Sequence, residues 1–182
     1  VDDIKILNSK KLDKFNNGKL NIISVGRLTY QKGHDRLIKW LSKSQFKNIH
    51  LTIIGSGDLK KILIDQVHEL NLHEMVSFED YSNEIYSWIY SADVSIMYSR
   101  WEGMPNIILE ALSLGTYAIA SHRSGGVKDI IEMGAKNLDI FYDEEQLSAF
   151  VSQYISKKNL HDKKNNLPKE FFLKKIHYNL KK

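Results

Sequence analysis

Apolar runs alternate with segments of helical periodicity along this chain of 182 residues. Six runs rich in β-branched residues predict strands at positions 20–25, 50–54, 75–78, 93–98, 117–120 and 138–141. Between them, apolar residues recur with a period of about 3.6 and predict helices at 35–44, 59–70, 84–91, 106–114 and 144–157. Several strands are apolar at consecutive positions, as expected when helices cover both faces of a sheet.

This repetition of strand and helix predicts a fold class and a domain organisation. We expect an α/β, Rossmann-like domain over residues 20–157, with a mostly parallel six-stranded sheet between two helix layers. Residues 1–19 are polar and are interpreted as a linker from a preceding domain. Residues 158–182 are interpreted as a basic tail that ends in a weakly amphipathic helix needing a surface to pack on.

The charge distribution argues against a nucleic-acid partner. The net charge is +4, but the segment from Lys157 to Lys182 alone contributes nine lysines and two acidic residues. The body of the chain is therefore mildly acidic. A domain that grips a phosphate backbone would carry its basic residues on that body, with aromatic side chains between them.

Composition excludes further classes of protein and suggests a compartment. The absence of cysteine excludes disulfides, thiolate metal sites and a cysteine nucleophile. No apolar run approaches the roughly 20 residues that a membrane-spanning helix needs. We expect a cytoplasmic protein.

Ligands of open α/β sheets bind beyond the carboxyl ends of the strands, so the loops after the strands hold the candidate chemistry. The loop after the first strand carries Arg27 and Lys32 between Gly26 and Gly33. Two cations before a helix N-terminus suit a diphosphate, although solvated surface charges would produce the same pattern. The Gly55-Ser56-Gly57 segment after the second strand is not a dinucleotide fingerprint and predicts a turn, with Ser56 or Asp58 capping the next helix.

The loop after the fourth strand is the most informative. Pro105 suits the first turn of the following helix, and Gly103 allows a ligand to approach the backbone. Glu110 falls on an apolar helix face, where a carboxylate must be paired, hydrogen-bonded or shifted in pKa. Glu102 lies at the same end of the sheet. From spacing alone, a structural ion pair for Glu110 and solvent for Glu102 explain the pattern equally well.

Several motifs occur together in the order and spacing of a known family. They are Gly26-Arg27, Lys32-Gly33, Gly55-Ser56-Gly57, Ala92-Asp93-Val94, Glu102-Gly103-Met104-Pro105-Asn106 with Glu110-Ala111, and Gly125-Gly126. Along residues 20–155 the chain resembles the group 1 (family 4) retaining glycosyltransferases, which carry two glutamates separated by seven residues. The resemblance implies the C-terminal, nucleotide-sugar-binding half of a two-domain GT-B enzyme, with an N-terminal half that binds the acceptor.

The resemblance also implies roles for single residues. Arg27 and Lys32 would contact the donor diphosphate, Glu102 would lie against the transferred sugar, and Glu110 would hydrogen-bond the ribose. The backbone amides of Gly103, Met104 and Asn106 would form an anion cradle; Gly26, Gly57 and Pro105 complete the predicted substrate site. Two cations and a helix dipole can stabilise a departing diphosphate without a metal or cofactor, so none is expected.

Three positions depart from the family pattern. Tyr117 replaces a common proline, Asp80 a frequent glycine, and Val127-Lys128-Asp129 the usual Ile-Pro-Glu. These changes put the base-binding wall and the loop after the fifth strand in doubt. His34 and His122 are weaker candidates for catalysis than for helix-start or surface positions.

Alternative functions remain open at this point. A sugar-nucleotide epimerase or phosphorylase with a GT-B-like fold, or a non-catalytic nucleotide-sugar-binding module, would share the fold. The lysine-rich tail suits a peripheral contact with the inner face of a membrane, but also suits a solvated tail. The sequence identifies neither the sugar, the base, nor the acceptor.

Overall fold

A computed structural model describes residues 8–15 and 17–160 of the chain, with side chains up to Ser156. The described part contains six parallel strands joined by helices. The strands are β1 (Leu20–Val25), β2 (Ile49–Ile54), β3 (Val76–Glu79), β4 (Val94–Met97), β5 (Tyr117–Ser121) and β6 (Leu138–Phe141). The α-helices are α1 (His34–Lys43), α2 (Lys60–Glu69), α3 (Ile85–Ser91), α4 (Asn106–Ser113), α5 (Val127–Glu132) and α6 (Glu144–Leu160).

The sheet has the order β3-β2-β1-β4-β5-β6 with every pair parallel, which confirms the predicted fold class. The strand order reverses between β1 and β4, and this point in a doubly wound sheet is where ligands bind. The loops after β1 and β4 therefore leave the sheet side by side.

Successive residues of the central strands pack into different cores on opposite faces of the sheet. Ile22 belongs to a cluster with side chains of α1, α2 and α6, whereas Ile23 belongs to a cluster with side chains of α3 and α4. Both isoleucines are fully buried. This double coverage explains why β1 is apolar at consecutive positions instead of alternating.

Predicted element bounds agree with the structure within one or two residues for most elements, and two expectations were wrong. Helix α5 was not predicted, because the six-residue segment Val127–Glu132 follows a glycine pair and resembles a loop. Neither Ser56 nor Asp58 caps α2: the helix begins after Leu59, without a side-chain cap. The amphipathic helix expected after residue 170 lies outside the described residues.

The segment expected to be a linker contacts the body of the domain where it is described. The backbone N–H of Lys10 donates to Ser87 Oγ at 3.1 Å, and that of Leu12 donates to Ser91 Oγ at 2.7 Å. Phe15 lies edge-on to Trp88 with ring centroids 5.6 Å apart. These contacts place residues 10–15 along α3, whether or not the chain before them forms a linker.

Candidate functional site

A cleft of about 360 Å³ opens at the carboxyl edge of the sheet. Seven of the ten predicted site residues line it: Gly26, Arg27, Lys32, Glu102, Met104, Pro105 and Asn106. We call residues 26–33 the Lys32 loop and residues 98–105 the Glu102 loop. The topology brings them together although about seventy residues separate them in sequence.

An ion pair between the two loops is the main electrostatic feature of the cleft. Lys32 Nζ lies 2.6 Å from Glu102 Oε1, and the side chains are only 20% and 9% exposed. Ser99 Oγ donates to the same oxygen at 2.8 Å, while Gln31 Nε2 lies 3.5 Å from Oε2. Glu102 is thus not simply a solvated loop residue. Removing either partner of such a shielded pair would leave a poorly solvated charge.

Gly26 gives the lysine room to reach this position. A Cβ at residue 26 would lie 3.2 Å from Lys32 Cδ, so a larger side chain would press on the stem of the lysine. The bare backbone of Gly26 is thus the surface along which the Lys32 side chain extends.

Arg27 differs from Lys32 in being exposed at the cleft. Among the residues that the structure describes, its guanidinium has no ion pair or hydrogen bond. An unpaired guanidinium beside a lysine gives this end of the cleft a positive charge that is available to an anion.

The anion cradle expected from backbone amides is only partly compatible with the structure. The N–H of Asn106 donates to the Met104 carbonyl oxygen at 3.0 Å, so this amide already has a partner. Pro105 is the cap residue of α4 and carries no N–H, and no side chain caps the helix. An anion at this helix end would have to displace the Asn106 bond or use the neighbouring amides.

The loop after β5 packs against the Glu102 loop. A Cβ at Gly125 would lie 2.5 Å from the Glu102 carbonyl oxygen, and one at Gly126 would lie 3.1 Å from Pro105 Cδ. The two glycines therefore allow close backbone packing. The Val127-Lys128-Asp129 departure falls at the start of α5, behind this contact.

Three predicted residues do not line the cleft. Gly57, with φ at 154°, packs against the backbone of Leu28, and Gly103 is exposed on the Glu102 loop. Glu110 accepts a hydrogen bond from the Tyr86 hydroxyl at 3.3 Å. Burial raises the pKa of Glu110, and the Tyr86 hydrogen bond offsets part of that rise. The substrate contacts predicted for these three residues stay predictions.

The departures at Tyr117 and Asp80 have different consequences. Tyr117 lies at the amino end of β5, away from the cleft, and its hydroxyl donates to Asp139. Asp80 pairs with Lys60 at 2.6 Å, and the next residue, Tyr81, lines the cleft with 66% of its surface exposed. Sequence reasoning missed Tyr81; an aromatic residue in the loop after a predicted strand was the available signal.

Neither histidine candidate lines the cleft. His34 is 2% exposed beneath the Lys32 loop, where Nδ1 lies 3.3 Å from Ser24 Oγ and Nε2 has no hydrogen-bond partner within the described ranges. Burial lowers the pKa of His34 to about 4, and the backbone of Gly26 and Arg27 offsets only part of that effect. The His122 ring stacks on Tyr142 at 4.8 Å.

The family profile described as "Glycosyl transferases group 1" matches residues 6–170. The chain belongs to the group 1 glycosyltransferase family.

Curated relatives of this glycosyltransferase chain agree with that assignment, and a solved structure has a similar fold. The amylovoran biosynthesis glycosyltransferase AmsD of Erwinia amylovora is 31% identical over 81% of the chain and 42% of its own length. A Campylobacter jejuni N-acetylgalactosaminyltransferase, named for a diphospho-undecaprenol substrate, is 29% identical over 60% of the chain and 30% of its own length. The crystal structure of Anabaena HepE in complex with UDP matches with a TM-score of 0.73 at 16% identity, covering 100% of the chain and 52% of HepE. The chain thus spans less than half the length of the curated relatives it matches.

None of the helices in the described ranges is long and apolar enough to cross a membrane. Within the same ranges, no three His, Asp or Glu side chains are grouped so that they could hold a metal ion.

The two predicted glycines outside the cleft should respond differently to alanine. A Cβ at Gly57 would lie 2.6–2.9 Å from Leu28 backbone atoms, whereas one at Gly103 would meet nothing within 4 Å. Gly57→Ala should lower the free energy of unfolding by about 1–3 kcal/mol, as overpacking does, and Gly103→Ala should change it little. Chemical denaturation of both variants checks this; equal stabilities would contradict the packing.

The buried His34 should make the stability of the chain depend on pH. The folded pKa of about 4 lies below the unfolded value of 6.5, so the unfolded state binds the proton more readily between these values. Wild type should therefore lose about 2 kcal/mol relative to His34→Gln as the pH falls from about 7.5 to about 5. Denaturant unfolding at both pH values measures the difference in the free energy of unfolding between the two proteins. The contributions of the other histidines are the same in both and cancel. Parallel pH profiles would show that folding does not lower the pKa of His34.

Proposed function

We propose that this chain is the donor-binding half of a retaining glycosyltransferase. The enzyme would be a hexosyltransferase that transfers the sugar of a UDP-sugar. The acceptor in this proposal is a glycan or a lipid-linked saccharide in surface polysaccharide or glycoconjugate assembly. The observation that carries the proposal is the convergence of Arg27, Lys32 and Glu102 in one cleft at the switch point of the sheet.

The cleft supplies charge where the leaving group would develop it. When the bond between the anomeric carbon and the phosphate oxygen breaks, its electrons go to the diphosphate, and Arg27 and Lys32 stabilise that negative charge. The acceptor hydroxyl bonds to the anomeric carbon and its proton passes to the departing phosphate. No step of this scheme requires a metal ion or an organic cofactor.

Glu102 has the position expected of a group that meets the sugar. One of its oxygens is held by Lys32 and Ser99, while the only contact of Oε2 with the part of the chain that the structure describes is a long one with Gln31. A carboxylate fixed on one side can accept hydrogen bonds from sugar hydroxyls with the other. Such contacts orient the anomeric carbon toward the acceptor.

The relatives support the choice of donor and acceptor. HepE was crystallised with UDP, and the Campylobacter enzyme is named for a lipid-linked saccharide. A lipid-linked acceptor would place the reaction at the cytoplasmic face of a membrane, where the lysine-rich tail could make a peripheral contact. That tail lies outside the described residues.

Partial coverage of the relatives leads to a prediction about activity. Because the acceptor half is expected on a separate domain, the 182-residue chain should bind UDP weakly and transfer no sugar. The full-length protein should bind UDP and also transfer the sugar. Calorimetry with the chain, and a panel of nucleotide sugars with product linkage determined for the full-length protein, test this. Absence of nucleotide binding at millimolar concentration would contradict the proposal. Release of free sugar, or an epimerised donor, would instead favour the phosphorylase or epimerase alternative.

Arg27 provides the sharpest test of the diphosphate site. Because its guanidinium is exposed and unpaired within the described chain, Arg27→Ala should leave the melting temperature unchanged. It should weaken UDP binding about 10- to 150-fold, the value of a hydrogen bond to a charged group. Lys32→Ala should weaken UDP binding as well, but it should also cost stability because it leaves Glu102 without its cation.

Uridine is the matched ligand and Arg36→Ala the matched variant for that experiment. Uridine offers no phosphate, so its affinity should hardly change in Arg27→Ala. Arg36 lies over the Tyr98 ring at 4.1 Å and does not line the cleft, so its loss should spare UDP binding. An unchanged UDP affinity in Arg27→Ala would show that the diphosphate does not bind at this loop.

A further inference from the structure

We propose that Arg100 is a positioning residue that holds the Lys32 loop against the Glu102 loop and thereby sets the distance between Lys32 and Glu102. This inference rests on the proposed function for its kinetic consequence. Its structural basis is a set of contacts that Arg100 makes with residues to which no diphosphate or sugar contact was assigned above.

Arg100 grips the chain on both sides of Lys32. Its Nη1 donates to the Tyr30 carbonyl oxygen at 2.7 Å, two residues before Lys32. Three residues after Lys32, Asp35 accepts bonds from Nη1 at 2.8 Å and from Nη2 at 2.6 Å. The backbone N–H of Arg100 also donates to the Gln31 carbonyl oxygen at 2.8 Å. A planar guanidinium suits this double attachment, which a lysine ammonium cannot reproduce.

The aromatic ring of Tyr30 also contacts the Arg100 guanidinium. The guanidinium carbon lies 3.8 Å from the Tyr30 ring centroid, so the arginine is stacked as well as hydrogen-bonded. Its side chain is 16% exposed and that of Asp35 is 34% exposed. Burial alone would raise the pKa of Asp35, but the hydrogen bonds and charge of Arg100 lower it below its usual value, so the carboxylate stays ionised.

Arg100 is also close to Glu102 in the chain. It precedes Glu102 by two residues on the same loop, and Trp101 between them accepts a bond from Gln31 Nε2 at 3.1 Å. The position of the Glu102 carboxylate relative to Lys32 therefore follows from where Arg100 is anchored. Because misplacement of reacting groups by about 1 Å can cost 100-fold in rate, loosening this anchor should slow transfer.

A charge-only effect can be separated from positioning by changing either partner. Loss of the arginine leaves Asp35 as an extra negative charge, which would repel a diphosphate. Asp35→Asn does the opposite, since it leaves Arg100 as an extra positive charge. A charge effect would make Asp35→Asn improve donor binding, whereas positioning makes both Arg100→Ala and Asp35→Asn lower kcat.

The kinetic test is a double-mutant cycle of Arg100 and Lys32 in the full-length protein. Arg100→Ala should lower kcat/KM for the nucleotide sugar about 10- to 100-fold in the wild-type background, and less than about threefold in the Lys32→Ala background. A residue that only keeps the domain folded would cost the same factor in both backgrounds, and that result would overturn the proposal. Arg100→Lys, which keeps the charge but not the double attachment, carries the same test if Arg100→Ala does not fold.

Hydrogen exchange on the free chain tests the proposal without reference to activity. Arg100→Ala and Arg100→Lys should speed amide exchange in residues 27–33 and 99–106 about tenfold or more, as expected when a local restraint is lost. Lys43→Ala is the matched control, because it removes an exposed ion pair, Lys43–Glu144 at 3.3 Å, that shares no residue with the Arg100 contacts. If exchange in both segments equals that of wild type, the proposal is wrong even where the full-length protein transfers sugar. If exchange rises but no nucleotide sugar is consumed by wild type, the proposed function fails and the positioning role stands.

Discussion

The Lys32–Glu102 ion pair depends on one geometric constraint, that parallel strands place their following loops at the same edge of a sheet. Strands β1 and β4 are neighbours although β2 and β3 lie between them in sequence. The Lys32 loop and the Glu102 loop therefore meet, and the Gly125-Gly126 pair packs against the Glu102 loop. Without the β1–β4 pairing there is no cleft.

The charges in this cleft suit the anionic sugar donor that we propose. Lys32 is neutralised locally by Glu102, whereas Arg27 has no counter-charge in the described chain. A diphosphate that enters meets one available cation directly and a second cation already fixed in place by its carboxylate. Under the proposed function, Arg27 would attract the charged donor and Glu102 would orient it, so that two residues divide these tasks.

The sequence was sufficient for the parts of the fold that depend on local pattern. The bounds of β1 and β6 were predicted correctly, because each apolar run ends where polar or glycine residues begin. Helix α5 was missed because six residues after a glycine pair give too little periodicity. The Arg100–Asp35 attachment joins residues 65 positions apart, and only the tertiary structure brings them together. The sequence also could not identify Tyr86 as the hydrogen-bond partner of Glu110. The position of Glu110 on an apolar helix face had indicated only that it needed a partner.

The proposed function depends on one contact: the diphosphate of the donor binds between the Lys32 loop and the start of α4. A crystal structure of the full-length protein with UDP tests it most directly. We expect the phosphate oxygens to lie about 2.7–2.9 Å from the Arg27 guanidinium and the Lys32 ammonium, the usual length of charge-assisted hydrogen bonds. A nucleotide whose phosphates contact neither side chain would contradict the account.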